Sequence, residues 1–224
     1  MIPDKSERAT MKTLIITLAI GLLIQQKGQA QGTIYLSNLG QTSTGSSPVG
    51  NDSWIASEIM TGANAGGYAL DSIQLEMADA SGNPTGFTAA IYSETGVSGF
   101  VPGTSLCVLN GSIDPSNSGI YTYTSAPSIM LSPSTIYFIV LTAGTAIGNG
   151  AYEWNLTGPN LYNPIDGWRA GGIWDSSDGS HWSYHSGSPQ FALGATPVPE
   201  PGVLGLFVLG SLFFIGHRRS AKVA

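Results

Sequence analysis

Short runs of alternating apolar and polar residues mark the middle of the chain. In Ser72–Met77 the isoleucine, leucine and methionine occupy every second position, which places them on one face of a β-strand. Phe87–Ile91 follows the same alternation more weakly. By contrast, Ile136–Leu141 is continuously apolar and rich in β-branched and aromatic residues. This run predicts a central strand that is covered on both faces.

Clusters of turn-forming residues separate these runs. They lie at Asp79–Pro84, Val101–Gly103, Asp114–Gly119 and Gly148–Gly150. No convincing amphipathic helix lies between them. Strands separated by turns at short intervals are typical of sandwiches and barrels. We therefore predict an all-β domain over residues 31–196, an antiparallel jelly-roll-like β-sandwich of about eight to ten strands.

The N-terminus has the pattern of a secretory signal peptide. Met11-Lys12 supplies a positive start, the apolar run Thr13–Ile24 follows, and small residues precede Gln31. We place cleavage between Ala30 and Gln31, and Met11 is a more natural start of translation than Met1. The alternative is an uncleaved membrane anchor, although the run is short for a span of about 20 residues.

The C-terminus carries a second apolar segment with a distinct flank on each side. Pro199-Glu200-Pro201 precedes the run Val203–Ile215, and Arg218-Arg219 follows it. The prolines stop a strand or helix that enters from the domain. The apolar run predicts a short transmembrane helix whose terminal arginines stay in the cytoplasm. With the N-terminal signal, this arrangement places the middle domain outside the inner membrane.

This tripartite tail, residues 197–224, resembles the PEP-CTERM sorting signal, which has the same three parts in the same order. The tail is also known as the ice-binding protein C-terminal region, a label that says nothing about the middle domain. The resemblance implies that an exosortase-type enzyme of a Gram-negative bacterium recognises Pro199, Glu200 and Pro201 and processes the chain there. The protein would then pass to the cell surface or the exopolysaccharide matrix. A plain anchor that keeps Arg218 and Arg219 is the alternative.

The middle domain resembles a second family. Asp52–Ala56 followed by Tyr68–Ile73, and Leu131–Leu141 ahead of Trp154, are similar to the choice-of-anchor domains, in particular the R type. The similarity spans roughly residues 35–195. Its motifs are structural, and it implies no catalytic residues.

Charge and cysteine content narrow the functional classes. Residues 31–197 contain eleven acidic residues and one basic residue, Arg169, within a chain of net charge −6. Such an acidic surface repels a phosphate backbone, so we expect no nucleic-acid binding. The single cysteine, Cys107, cannot form an intramolecular disulfide, and its apolar neighbours predict a small buried residue. No P-loop, dinucleotide fingerprint or nucleophile elbow occurs, so we expect no enzyme.

Most of the tryptophans lie in one segment of the middle domain. Four of the five fall there, namely Trp154, Trp168, Trp174 and Trp182, with tyrosines and carboxylates among them. Aromatic faces flanked by carboxylates suit sugar rings, so these four are candidate glycan-binding residues. The alternative is that they fill the core and the ends of the sandwich. Trp54 stands apart, and we expect it in the core.

Other polar residues of this segment suggest weaker candidate sites. Asp175 and Asp178 are weak candidate calcium ligands, and a solvated turn is the better explanation of this segment. His181 and His185 lie four residues apart, too far for one zinc ion if they are on a strand. A carboxylate pair such as Glu153 with Asp175 could in principle hydrolyse a glycoside, but nothing in the sequence places the two residues together.

The sequence therefore predicts an exported, non-enzymatic envelope or extracellular-matrix protein with a structural or adhesive role. Residues 1–30 form the signal peptide, 31–196 the β-sandwich and 197–224 the sorting segment. The expected partners are signal peptidase, an exosortase-type enzyme, the inner membrane and exopolysaccharide. We expect no cofactor other than the calcium considered above. A carbohydrate-binding module that uses residues 152–184 is one alternative, and a glycan-processing enzyme is another.

Overall fold

The computed structural model describes residues 32–96, 100–158 and 162–199. Within these ranges the regular elements are fourteen β-strands and one 3-10 turn at Ile147–Asn149. The strands are β1 Thr33–Ser37, β2 Gly45–Val49, β3 Trp54–Met60, β4 Tyr68–Gly82, β5 Thr88–Glu94, β6 Pro102–Val108, β7 Gly119–Tyr123, β8 Met130–Leu131, β9 Ile136–Thr142, β10 Gly150–Thr157, β11 Arg169–Ser176, β12 Ser183–His185, β13 Ser188–Pro189 and β14 Phe191–Pro197. None of the helical structure in these ranges is long and apolar enough to span a bilayer.

The strands form two antiparallel sheets. In the eight-stranded sheet the order is β1-β14-β4-β10-β13, with β2 beside β10 and both β7 and β8 beside β4. The six-stranded sheet has the order β12-β11-β3-β9-β5-β6. This confirms the predicted all-β domain. The strand number in the described residues exceeds the prediction, partly because β8, β12 and β13 have only two or three residues and so show no readable periodicity.

The core lies where the apolar alternation predicts it. Ile73, Leu75 and Met77 of β4 are each fully buried, which confirms that they share one face. Tyr137–Leu141 of β9 is buried at every position. Strand β9 lies between β3 and β5 in the six-stranded sheet, as expected for a central strand covered on both sides. Its inner face joins the main core, and its outer face lies beneath a second apolar cluster.

Two predicted turns overlap strands in the structure. Residues Asp79–Gly82 belong to β4, since Ser81 and Gly82 pair with Ala151 and Gly150 of β10. Strand β6 begins at Pro102, within the predicted turn. Polar and turn-forming residues continue a strand here because a neighbouring strand supplies backbone partners, and tertiary pairing outweighs local propensity.

The structure describes the end of the β-domain that leads into the predicted sorting segment. Strand β14 runs to Pro197, and the next residue, Val198, donates its N–H to Gly67 O at 3.0 Å.

Cys107 lies on the edge strand β6, half-buried against the core, and burial raises the pKa of its thiol. The predicted signal segment, with its predicted cleavage site at Ala30 and Gln31, lies outside the described residues.

Candidate functional site

The outer face of the six-stranded sheet carries a second apolar cluster, separate from the core. Ala56, Phe138 and Val140 form its base and are buried, at 0%, 0% and 1% exposure. The rings around this base belong to Trp54, Tyr92, Trp174, Trp182 and Tyr184, which we call the aromatic face. An antiparallel sheet that packs on one side usually shows polar residues on the other. This face departs from that rule.

The opposite outer surface, on the eight-stranded sheet, largely follows the rule, with Ile34 and Ile120 as isolated exposed apolar residues. Gln74 alternates with the buried Ile73 and Leu75, and its cross-strand neighbour is Thr122. Glu153 alternates with the buried Trp154 and accepts a hydrogen bond from Ser46 Oγ at 2.7 Å. Aromatic residues therefore gather on one of the two outer surfaces, which singles it out as the candidate site.

Strand register assembles the aromatic face from distant parts of the chain. Ala56 lies opposite both Trp174 of β11 and Val140 of β9. Trp174 in turn lies opposite Tyr184 of β12. Because opposite residues on paired strands share a face, these side chains meet although they come from residues 56 to 184. Trp54 joins them from the start of β3.

Trp174 is at the centre of the aromatic contacts. Its ring is edge-on to Phe138, with centroids 6.4 Å apart, and to Tyr184, with centroids 5.3 Å apart. Glycines allow the rings to lie close to the backbone: a Cβ at Gly172 would collide with the Tyr184 ring, and one at Gly179 would lie 3.1 Å from the Trp54 ring. Tyr184 is 60% exposed, so part of this face is open to solvent.

A carboxylate is set into the aromatic face. Glu58 of β3 and Tyr92 of β5 both lie opposite Phe138. A Cβ at Gly171 would lie 2.6 Å from Glu58 Cδ, so the glycine makes room for the carboxyl group. Desolvation by burial raises the pKa of Glu58, the neighbouring Trp174 indole lowers it, and the negative charge of Glu94 raises it again. The Trp174 N–H falls short of hydrogen-bond geometry and has no acceptor among the described residues.

Two of the predicted glycan-binding residues are in the core instead. Trp154 is fully buried and donates its indole N–H to Gln190 O at 2.9 Å. Trp168 is 1% exposed and stacks on Tyr35, with centroids 4.9 Å apart and an interplanar angle of 20°. Neither ring has a face for a ligand, because strand β10 turns Trp154 inward and the turn before β11 turns Trp168 inward.

The other two candidates, Trp174 and Trp182, lie on the aromatic face and are partly exposed. The expectation that Trp54 belongs to the core is wrong, since it packs on the outer cluster with them. Sequence reasoning missed Tyr92 and Glu58. The alternation of β3 and β5 would have placed both on the solvent side, but only the strand order shows that this side is aromatic.

The loop and strand after β11 hold two carboxylate–histidine pairs. Asp178 accepts backbone N–H groups of Ser180 and His181 at 2.8 and 2.9 Å, and its Oδ2 meets His181 Nδ1 at 2.7 Å. These hydrogen bonds lower the pKa of Asp178, and the carboxylate raises the pKa of His181. Asp175 pairs separately with His185.

These pairs bear on the predicted metal and catalytic residues. Asp175 and Asp178 each engage a different histidine rather than converging as calcium ligands, and no cluster of three His, Cys, Asp or Glu that could hold a metal occurs among the described residues. Glu153 lies on the eight-stranded sheet and Asp175 on the six-stranded sheet, so the structure does not assemble them as a carboxylate pair.

The predicted sorting motif lies at the limit of the described residues. Pro199 is the last of them, while Glu200, Pro201, Arg218 and Arg219 lie outside. Comparison with known proteins adds no family: no family model, curated protein or solved structure matches this chain.

Proposed function

We propose that this chain is a non-enzymatic exported protein of the bacterial envelope or extracellular matrix, with an adhesive or structural role. The observation that supports adhesion is the aromatic face, because aromatic rings gather on this outer surface, whereas the other outer surface carries polar residues and isolated apolar ones such as Ile120. The observation that supports export is the pair of flanking segments in the sequence. An acidic domain with eleven carboxylates and Arg169 as its one base suits a soluble surface module.

The proposed route begins with removal of residues 1–30 by signal peptidase. An exosortase-type enzyme then acts at Pro199, Glu200 and Pro201 while the short tail helix holds the chain in the inner membrane. Cell fractionation with intact-mass measurement tests this route. The processed protein should begin at Gln31 and lack Arg218 and Arg219, and Glu200→Ala should retain the tail. A protein that keeps both termini in the cytoplasm would refute the route.

For the domain itself we propose a jelly-roll-like topology. The chain repeatedly passes from one sheet to the other: β3, β5–β6, β9 and β11–β12 lie in the six-stranded sheet, and the intervening strands lie in the eight-stranded sheet. Such alternation is typical of Greek-key and jelly-roll sandwiches, whose broad outer sheet faces are available for ligands.

Carbohydrate binding is the specific form of adhesion that the aromatic face favours. Sugar rings present C–H faces that pack on indole and phenol rings, and their hydroxyls bond to nearby carboxylates. The partly exposed Trp174 and Tyr184, with Glu58 beside them, supply these groups. A glycan array with the full chain tests the idea: Trp174→Ala should abolish binding, whereas Ile120→Ala, an exposed apolar residue on the eight-stranded sheet, should not. Equal binding by both variants would refute it.

A further inference from the structure

Glu58 is a carboxylate in an unusual environment for a residue on the solvent side of a sheet. It is half-buried between the Gly171 backbone and the aromatic side chains, and desolvation raises its pKa. No basic residue pairs with it among the described residues, where the ion pairs are Asp178–His181 and Asp175–His185. A partly desolvated carboxylate without a counter-charge is costly, and a cation beside it would recover that cost.

The two carboxylates on this side of the sheet favour a cationic ligand, and one basic residue, Arg169, opposes it. Glu94 lies two residues beyond Tyr92 on β5, so strand alternation places it on the same side of the sheet as Glu58. Its negative charge contributes to the raised pKa of Glu58. Arg169, which lies opposite Met60 at the start of β11, forms no ion pair with either of them. A polysaccharide of uronic acids would meet repulsion here, whereas an ammonium group would gain a charge-assisted hydrogen bond.

The rings on this face strengthen the same preference. Trp174 and Tyr184 lie within 5.3 Å of one another, centroid to centroid, and Glu58 adjoins Trp174. An ammonium group beside a tryptophan or tyrosine face gains cation–π stabilisation in addition to its pairing with a carboxylate. A metal ion does not suit the site as well, because it prefers several converging oxygen ligands.

We propose that the aromatic face binds a polysaccharide of hexosamines with free amino groups, in which ammonium groups pair with Glu58 and Glu94 while sugar rings pack on Trp174 and Tyr184. This inference rests on the proposed carbohydrate binding and names its ligand class. N-acetylation removes the positive charge and leaves the ring faces unchanged. The two forms of one sugar therefore separate the carboxylate contribution from the aromatic contribution.

The test is calorimetric titration of the full chain in detergent with oligomers of one length. The probes are oligomers of glucosamine, N-acetylglucosamine, glucose and galacturonic acid. We expect glucosamine oligomers to bind at least about tenfold more tightly than N-acetylglucosamine oligomers, the order of one charge-assisted hydrogen bond. Glu58→Gln should remove most of this preference. Glu153→Gln, the matched variant on the eight-stranded sheet, should preserve it.

The variants distinguish the possible failures. Equal affinity of the unaltered chain for glucosamine and N-acetylglucosamine oligomers would overturn the inference and leave carbohydrate binding in place. The same conclusion would follow if Glu58→Gln kept the full preference of the unaltered chain for glucosamine oligomers. If Trp174→Ala still binds glucosamine oligomers at full affinity, the attraction comes from the net charge of the domain, and the inference fails. If the unaltered chain binds none of the four probes, both the inference and the proposed carbohydrate binding fail. Near-UV circular dichroism checks that each variant is folded.

Discussion

Replacement of Trp168 by alanine should destabilise the domain strongly without any direct effect on a ligand. The ring is 1% exposed and stacks on Tyr35 at 4.9 Å, with Tyr68 edge-on at 4.9 Å. Buried tryptophan-to-alanine changes cost about 3 to 5 kcal/mol, and the two aromatic contacts place this one in the upper half of that range. About 4 kcal/mol corresponds to a fall in Tm of about 8 to 16 °C for a domain of this size.

The assay is thermal unfolding of the full chain, followed by near-UV circular dichroism. Trp168→Phe is the matched control. It keeps an aromatic ring, and it removes an indole N–H that has no acceptor among the described residues, so it should cost less than about 2 kcal/mol. Two results together would show that the ring is exposed and refute the placement. They are a fall in Tm of less than about 4 °C for Trp168→Ala, and a smaller acrylamide-quenchable share of the tryptophan fluorescence in that variant than in the unaltered chain.

Three further predictions concern the six-stranded sheet and the loop that joins β11 to β12. Trp174→Ala should cost only about 1 to 2 kcal/mol in thermal unfolding, because the ring is half-buried, and a loss as large as that of Trp168→Ala would contradict its position on the surface. Gly171→Ala should weaken binding of glucosamine oligomers in calorimetry, since the new Cβ would displace Glu58, and unchanged binding would argue against that contact. The Asp178–His181 pair stabilises its loop above the ordinary pKa of 3.8 for the aspartate and below that of 6.5 for the histidine, and its contribution declines as pH rises through the raised pKa of His181. Hydrogen-exchange protection of residues 177–185 should therefore fall between about pH 5 and pH 8.5, less so in His181→Asn, and equal protection at both pH values would refute the pairing.

The alternation of residues predicted much of the core. The buried face of Ser72–Met77 follows from a two-residue period, and the doubly covered run Tyr137–Leu141 follows from a continuously apolar stretch. Both patterns are local properties of the chain. The full length of β4 could not be predicted from local alternation, because its last residues pair with Gly150 and Ala151, about 70 positions away. Local composition at Asp79–Gly82 favours a turn, and only the distant partner strand decides otherwise.

The sequence predicted only some residues of the candidate site, because their positions also depend on distant partner strands. Proximity in sequence grouped Trp154 and Trp168 with Trp174 and Trp182, although the first two rings turn inward and the last two pack on the outer cluster. A turn at Asp166-Gly167, in which both residues have positive φ, immediately precedes Trp168. The Asp-Gly pair is a recognisable turn signal, but the direction in which it sends the next side chain depends on the sheet that receives it.

The position of Trp54 shows why the sandwich architecture determines the site. Trp54 lies opposite Ser176 across the antiparallel pairing of β3 and β11. Two positions later on β3, Ala56 lies opposite Trp174, which is two positions earlier on β11. A shift of one residue in this register would turn Trp174 toward the core and bring Ile173 to the surface. Ile173 is buried and Trp174 is half-buried on the opposite side, so the register that completes the core also creates the aromatic face. A substitution that slips β11 should therefore impair core packing and ligand binding together, whereas Trp174→Ala should impair binding with little loss of stability.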